Sequence, residues 1–383
     1  MLRLTRGEDS KLTSWCFEID RSLVRWILLL VGIGAVMMVT AGAAQAAHMR
    51  PPQPWFYFIV KAIPAYILGF ACLFGFSMLN KQQVIRISVL GALVGIIGLI
   101  ITVVHPFKMK GSYRWAHIGG FSFMPADMLK PFFIVLTAWF LDKMRKTFGN
   151  NMFVNKQAWK FNWTSWWPYL LAFSLCALVI FRHPDIGTAA LYVAVLFVML
   201  LVSGFPLKWL PGFMGFVFGG MALAALTNSH VRARAMHIFD VEPGSQVWFS
   251  LNSIRHGGLF GSGDEAYVKD VLPESTNDFV YSAISEDWGA IAACALVIVL
   301  FFVFNNLINH AIHAKDRFVV YTLSGAAALF AGQVCFNLMT ALHLFFNKGM
   351  TLPFVSYGGV SFISFCILFG IVLALIREDT WNK

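Results

Sequence analysis

"VLPESTNDFVYSAISEDWGAIAACALVIVLFFVFNNL", residues 271–307, opens on four carboxylates, Glu274, Asp278, Glu286 and Asp287, and then runs without a charge from Trp288 to Leu307. At 1.5 Å of rise per residue, that apolar run is long enough as a helix to cross the ~30 Å hydrocarbon layer of a bilayer. The rest of the chain has the same character: 58% of the 383 residues are hydrophobic and 13% charged, with 38 Phe and 13 Trp. A soluble domain of ordinary composition is far less apolar. A window of about 19 residues finds apolar spans near 23–47, 55–79, 84–104, 121–142, 166–182, 187–203, 207–226, 281–307, 317–343 and 355–376. The expected fold class is therefore an all-α polytopic membrane protein. It has ten transmembrane helices and a long extracytoplasmic loop, about 227–280, between helices 7 and 8.

The first span ends in "TAGAAQAAHM", whose small residues mimic a signal-peptidase site. Its uncharged stretch is too long for that, and Glu8, Asp9, Glu18 and Asp20 precede it, so it reads as a retained helix. With ten spans both termini share a side, where Lys81, Arg86, Lys143, Arg145, Lys146 and Arg377 gather; the opposite side carries fewer bases over more loop. Bases concentrate on the cytoplasmic side, so both ends are expected there. The layout is a basic tail over 1–22, a membrane domain over 23–376 and a short C-terminus over 377–383. The net charge of +10 then reflects topology and attraction to anionic lipid, not nucleic acid. Cys72, Cys176, Cys294, Cys335 and Cys366 fall singly inside spans and Cys16 in the tail, a pattern of packing residues, neither a disulfide framework nor a metal quartet. The tryptophans of 143–168 (Trp159, Trp163, Trp166, Trp167) suit an interfacial anchor.

Asp278 has two readings. "STND" fits a capping box in which Ser275 and Asp278 close the first turn of the eighth span. Alternatively, a carboxylate at the mouth of a helix bundle, partly desolvated by the neighbouring "FVY", serves as general base. A carboxylate bonded to its own backbone cannot do both well. Glu286 and Asp287, farther along, must face protein or water, because charge in lipid is costly. Asp127 and Lys130 in "FMPADMLKPFF" make an i, i+3 pair suited either to structure or to a substrate cavity, and Lys130 is also a candidate partner for Glu286. In "RHPDIGTAA", Pro184 and Gly187 bracket Asp185 in a tight turn. The run "RHGGLFGSGDE" lacks the Lys-Ser/Thr ending of a phosphate-binding loop, although its amides could cradle a lipid diphosphate. "NKGMTLPFVSYGGVSF" joins Lys348, Ser356, Tyr357, Gly358 and Gly359 in non-helical backbone of the kind that lines cavities.

Taken in this order and spacing, "TLPFVSYGG", "LPESTNDFVYSAISEDWG", "HPDIGTA" and "YRWAHIGGFSFMPADMLK" resemble the SEDS family (shape, elongation, division and sporulation), which includes FtsW and RodA. The resemblance covers nearly the whole chain, and Lys348-Gly349 ahead of "TLPFVSYGG" is closer to the division branch, FtsW, than to the elongation branch, RodA. It implies a peptidoglycan glycosyltransferase of the bacterial inner membrane that polymerises lipid II into β-1,4 glycan strands on the outer side. Asp278 falls on the family's essential aspartate and is the implied general base, with undecaprenyl diphosphate as leaving group. Arg114, Lys130 and Lys348 are the implied neutralising cations, and Asp127, Asp185, Glu274, Glu286, Ser356, Tyr357, Gly358 and Gly359 complete the implied substrate site. The resemblance fixes no cofactor, and a divalent cation (Mg or Mn) held partly by substrate is compatible with the chemistry. The implied partners are a class B penicillin-binding protein, a transpeptidase, packing on the eighth and ninth spans, and other membrane proteins of the division complex. Thr276-Asn277, His183, Met124-Pro125-Ala126-Asp127 and Val360 depart from the family pattern, which marks a divergent enzyme. A lipid II transporter using Asp127, Lys130 and Glu286 as a polar path, and a non-catalytic scaffold of the division complex, are the competing readings.

Overall fold

The structure, a computed structural model, describes residues 15, 17–104, 107–109, 112–118, 121–162, 164–182, 186–212, 215, 219, 226, 241–344 and 349–381. Its main elements are α1 (Arg21–Ala47), α2 (Tyr57–Ser77), α3 (Lys81–Val104), β1 (Phe107–Met109), β2 (Ser112–Ile118), β3 (Phe121–Phe123), α4 (Pro125–Phe148), α5 (Trp167–Arg182), α6 (Ile186–Val202), α7 (Gln246–Gly257), the single turn α8 (Val268–Val271), α9 (Val280–His313), α10 (Arg317–Ala341) and α11 (Gly359–Trp381). Six of them, α1, α2, α3, α9, α10 and α11, are long and apolar enough to cross a membrane, and α6 is apolar but shorter. Apolar windows of α10 and α11 are 72% and 83% buried, against 22% for α2, 33% for α3 and 28% for α9. The former pair thus forms the bundle's centre, and the latter three present most of their apolar surface outward. α2 lies along α11, where Phe362 meets Tyr66 at 4.7 Å and Phe70 at 5.8 Å between ring centroids.

Helices stand at the expected spans except the seventh, 207–226, most of which falls outside the described residues. Two expectations are corrected. The chain is not purely α-helical: β1, β2 and β3 form a small antiparallel sheet in that order, with Phe107 opposite Trp115 and Ala116 opposite Phe123. Residues 121–123, Phe-Ser-Phe, are uncharged and aromatic and so read as the start of a span. Their aromatic character suits a strand equally well, and Gly111, Gly119 and Gly120 separate the three strands in sequence. The aromatic segment after α4 is also more than an anchor. Trp166 is 3% exposed, stacked on Phe153 and Trp159 at 5.2 and 5.8 Å, and its indole N–H donates to the Met152 carbonyl. Trp159 and Trp167 stay exposed at the rim, and Trp163 lies outside the described residues.

The third departure positions the site. α9 is broken at Gly289, whose φ of 82° and ψ of 175° are not helical. A Cβ at Gly289 would overlap the Leu259 carbonyl, so only glycine fits. The groups freed by the break are met by the loop after α7: Ala290 and Ile291 donate to the carbonyls of Gly258 and Leu259 at 2.9 and 3.3 Å, and Ser262 donates to the Glu286 carbonyl at 2.8 Å. The segment from 241 to 279 is therefore a folded cap on α9 and α10. Ser250 bonds Ser282 at 2.6 Å and donates to the Ala341 carbonyl at 2.8 Å, joining the cap to both helices.

Glu286 is the cap's anchor. Its carboxylate is fully buried and accepts from the amides of Tyr267, Val268 and Lys269 at 3.0, 2.8 and 2.6 Å, from Ser253 Oγ at 2.8 Å, and bonds His256 Nδ1 at 3.0 Å. The amides belong to the start of α8, where a carboxylate is favoured. The next residue, Asp287, pairs with Lys269 Nζ. Replacing Glu286 by Ala strands several buried donors at once, each worth about 1–3 kcal/mol when left unmade. Glu286→Ala is expected to lower the thermal unfolding midpoint strongly, and Glu286→Gln, which keeps one acceptor oxygen, to lower it less. Thermal unfolding in detergent micelles distinguishes them.

Candidate active site

The site begins at the turn that carries the chain from α8 into α9. Leu272 is buried, Glu274 takes a φ of 59°, and its carbonyl accepts from Asn277 N at 3.0 Å and Phe279 N at 3.3 Å. The turn therefore closes on itself, and α9 starts at Val280 with Phe279 as its N-cap and no side-chain cap bond. The capping box suggested by "STND" is not formed, because Asp278 precedes the helix and lies outside its first turn. Ser275 Oγ, buried, has no hydrogen-bond partner among the described residues. Asn277 Nδ2 instead donates to Glu274 Oε2 at 2.6 Å, within the turn.

Two other elements fix this turn. The segment before α11 pairs with it edge to edge: Tyr357 N donates to the Thr276 carbonyl at 2.9 Å, and Ser356 Oγ donates to the Asn277 carbonyl at 2.5 Å while accepting from Leu352 N at 2.7 Å. α10 supplies Asn337, fully buried, whose Nδ2 donates both to the Asp278 carbonyl at 2.9 Å and to the Met350 carbonyl at 2.6 Å. One amide group thus holds two loops together. The consequence is a half-buried Asp278 carboxylate lying directly against Gly349, where any Cβ would fall on the carboxylate oxygens. The Tyr357 ring meets Phe58 of α2 edge-on at 5.2 Å, and Thr276 Oγ1 donates to Gln45 of α1 at 2.9 Å, so α1, α2 and α10 all contribute to the wall.

One helical turn deeper lies a closed polar network. Lys130 Nζ stands 2.5 Å from Asp127 Oδ1 and donates to Gln333 Oε1 at 2.9 Å. Gln333 Nε2 donates to the Thr351 carbonyl at 2.9 Å, and Thr351 Oγ1 donates to Ser361 Oγ at 2.8 Å. Lys130 and Gln333 are 4% and 1% exposed, so the charge is buried with its partners in place. The suggested pairing of Lys130 with Glu286 does not occur: Lys130 is committed to Asp127 and Gln333, and Glu286 to the cap. Helical spacing alone could not foresee that the cap would reach Glu286 first. In that cap, burial pushes the Asp270 carboxyl up, partly offset by the Lys269 ammonium.

Of the sequence candidates, the fold brings Asp278, Glu274, Ser356, Tyr357, Gly358 and Gly359 together, and sets Asp127 and Lys130 beneath them. Asp185 and Lys348 lie outside the described residues, as does the side chain of Arg114, whose backbone is in β2. Sequence reasoning missed Asn337 and Gln333, two amides inside an apolar span, and Lys61 on α2. The Lys61 ammonium bonds the Tyr57 hydroxyl and lies within electrostatic reach of Tyr357. Their signal was available, since polar groups within a membrane span are expensive and mark function or structure. Among the described residues, no group of three or more His, Cys, Asp or Glu side chains is placed to hold a metal ion.

Comparison with known proteins bears on this geometry. The family model FTSW_RODA_SPOVE, described as "Cell cycle protein", matches residues 21–380. Among curated proteins, the probable peptidoglycan glycosyltransferase FtsW of Caulobacter vibrioides is 28% identical over 97% of this chain and 93% of its own length. The protein of the same description from Thiomicrospira cyclica is 29% identical over 97% and 95%. Among solved structures, a chain described under structural coordination of polymerization and crosslinking by a peptidoglycan synthase complex superposes with a TM-score of 0.72 at 21% identity, covering 95% of this chain and 99% of that one. Rod shape determining protein RodA of Thermus thermophilus does so with a TM-score of 0.66 at 21% identity, covering 95% and 98%. The chain belongs to the FtsW/RodA/SpoVE family of cell cycle proteins.

Proposed function

We propose that the chain is a peptidoglycan glycosyltransferase that polymerises lipid II into β-1,4 glycan strands during division, with Asp278 as general base. The observation that carries the reading is the placement of that carboxylate. It is not spent on a helix cap; it is half-buried, and its backbone is clamped by Asn337 and flanked by the Tyr357–Thr276 pairing. The relatives named as glycosyltransferases match along nearly their whole length, which supports the same activity here.

In this mechanism the Asp278 carboxylate takes the proton of the acceptor sugar hydroxyl as its oxygen attacks the anomeric carbon of the donor. The new carbon–oxygen bond forms as the bond to the diphosphate breaks, and the electron pair leaves on undecaprenyl diphosphate. One carboxylate is enough, because a diphosphate leaves without being protonated if its charge is met by cations; glycosidases, with poorer leaving groups, need a second acid. Arg114 and Lys348 are the assigned neutralising cations, with Lys61 beside Tyr357 as a further one. Lys130 acts from below: neutralised by Asp127, it orders Gln333 and through it the Thr351 backbone.

The membrane arrangement that goes with this reading has ten helices, both termini in the cytoplasm and the site facing outward from the bacterial inner membrane. A class B penicillin-binding protein pairs with the chain to crosslink its product. The transporter reading would need Lys130 and Asp127 to leave their ion pair and Glu286 to leave its buried site in the cap, and the pairing and burial of these groups support the polymerase reading over it.

Two variants test the assignment in vesicles supplied with lipid II. Asp278→Asn removes the proton acceptor with little change of shape, and polymer formation is expected to fall by at least about 10²-fold with the thermal midpoint unchanged. Polymer made at the parent rate by this variant would falsify the assignment, and lipid movement across the vesicle surviving its loss would favour transport. Gly349→Ala places a methyl group where the carboxylate lies, and turnover is expected to drop by roughly 10–10²-fold through displacement of the base. Gel filtration and lipid II binding by this second variant should remain those of the parent.

A further inference from the structure

The tip of the cap carries two large apolar side chains with no place in the chemistry above. Leu259 is 64% exposed and Phe260 82% exposed, beside Trp288 at 37%. Their position is fixed by the break in α9, because the carbonyls of Gly258 and Leu259 accept from Ala290 and Ile291, the first residues of the helix beyond Gly289. From residue 290 to His313 that helix measures about 36 Å, close to the ~30 Å hydrocarbon thickness plus one turn. The tip therefore stands at the level where the membrane-crossing helix begins.

We propose that Leu259 and Phe260 are seated in the lipid leaflet on this side, wedging the cap into the boundary between head groups and acyl chains. Three observations argue for lipid as the occupant. At the same level α9 itself turns apolar side chains outward, with Trp288 37% and Ile291 56% exposed where its uncharged run begins. Its backbone is prepared for a medium that offers few hydrogen bonds: Gly258 and Leu259 carbonyls serve α9, and Gly261 N donates to the Gly257 carbonyl at 2.7 Å. The tip is also polar on the sides that would face head groups and water, with exposed Arg255 before it and exposed Asp264 and Glu265 after it. An aromatic and an aliphatic side chain between a base and two acids suit an interfacial anchor.

The cap would then be held from two directions, by Glu286 within the protein and by the bilayer at its rim. The inference does not depend on the activity proposed above. A nitroxide side chain introduced as an unnatural amino acid at 260, and separately at 259 and 264, reports the surroundings in vesicles of phosphatidylethanolamine and phosphatidylglycerol holding the full chain. At 259 and 260, collision with dissolved oxygen is expected to exceed collision with a water-soluble nickel chelate several-fold, and at 264 the order is expected to reverse. Equal access of the nickel chelate to 260 and 264, in labelled chains that elute as the parent does, overturns the proposal and leaves these side chains to water or to a protein contact.

Discussion

A helix crossing lipid has to keep its amide and carbonyl groups paired, because the surroundings supply no substitute. In this protein that constraint is met at a point where the helix stops being one. At Gly289 the backbone leaves the helical region, and three hydrogen bonds that α9 cannot make with itself are made with residues 258–262. The cap cannot be removed without exposing the broken end, and the broken end would not hold its shape without the cap. The turn bearing Asp278 is built between these parts, with α8 before it and the first half of α9 after it. The position of one carboxylate thus follows from how a peptide backbone is kept satisfied near a membrane.

The same logic explains why polar side chains recur in the bundle's most buried helices. Gln333 and Asn337 stand one turn apart on α10, and the side chain of each reaches across to the segment that leads into α11. That segment is irregular from 349 to 358, and its carbonyls would otherwise be buried without donors. Lys130 and Asp127 extend the arrangement from α4. A buried ion pair contributes little net stability after desolvation; here its effect is to fix the direction in which Gln333 points.

The broad fold was legible because apolar runs long enough to cross a bilayer are hard to confuse with anything else. Helices over 21–47, 57–77, 81–104, 280–313, 317–341 and 359–381 fall where hydropathy places them. Finer features depended on contacts between residues far apart in sequence. The last strand of the sheet, 121–123, reads as the start of a span, and the break at Gly289 looks like a glycine inside a helix until Leu259 is seen against it. Asp278 could be singled out from the acid's place at the mouth of an apolar run, but the capping reading could not be set aside until the helix was found to begin two residues later. The pairing of Lys130 with Glu286 failed because charge complementarity names no partner when several are within reach. Asn337 and Gln333 stood in plain view in "AGQVCFN" and went unread because a search for ionisable groups passes over amides.

Asn337 has a mechanical consequence. One nitrogen grips the turn ahead of α9 and the irregular segment ahead of α11, so a tilt or slide of α10 carries both along as passengers on a common lever. The spacing between the acid and the glycine facing it is preserved through such a movement, while the distance from this pair to α1 and α2 changes. A gap toward α1 and α2 can therefore change without the acid and the glycine losing their alignment.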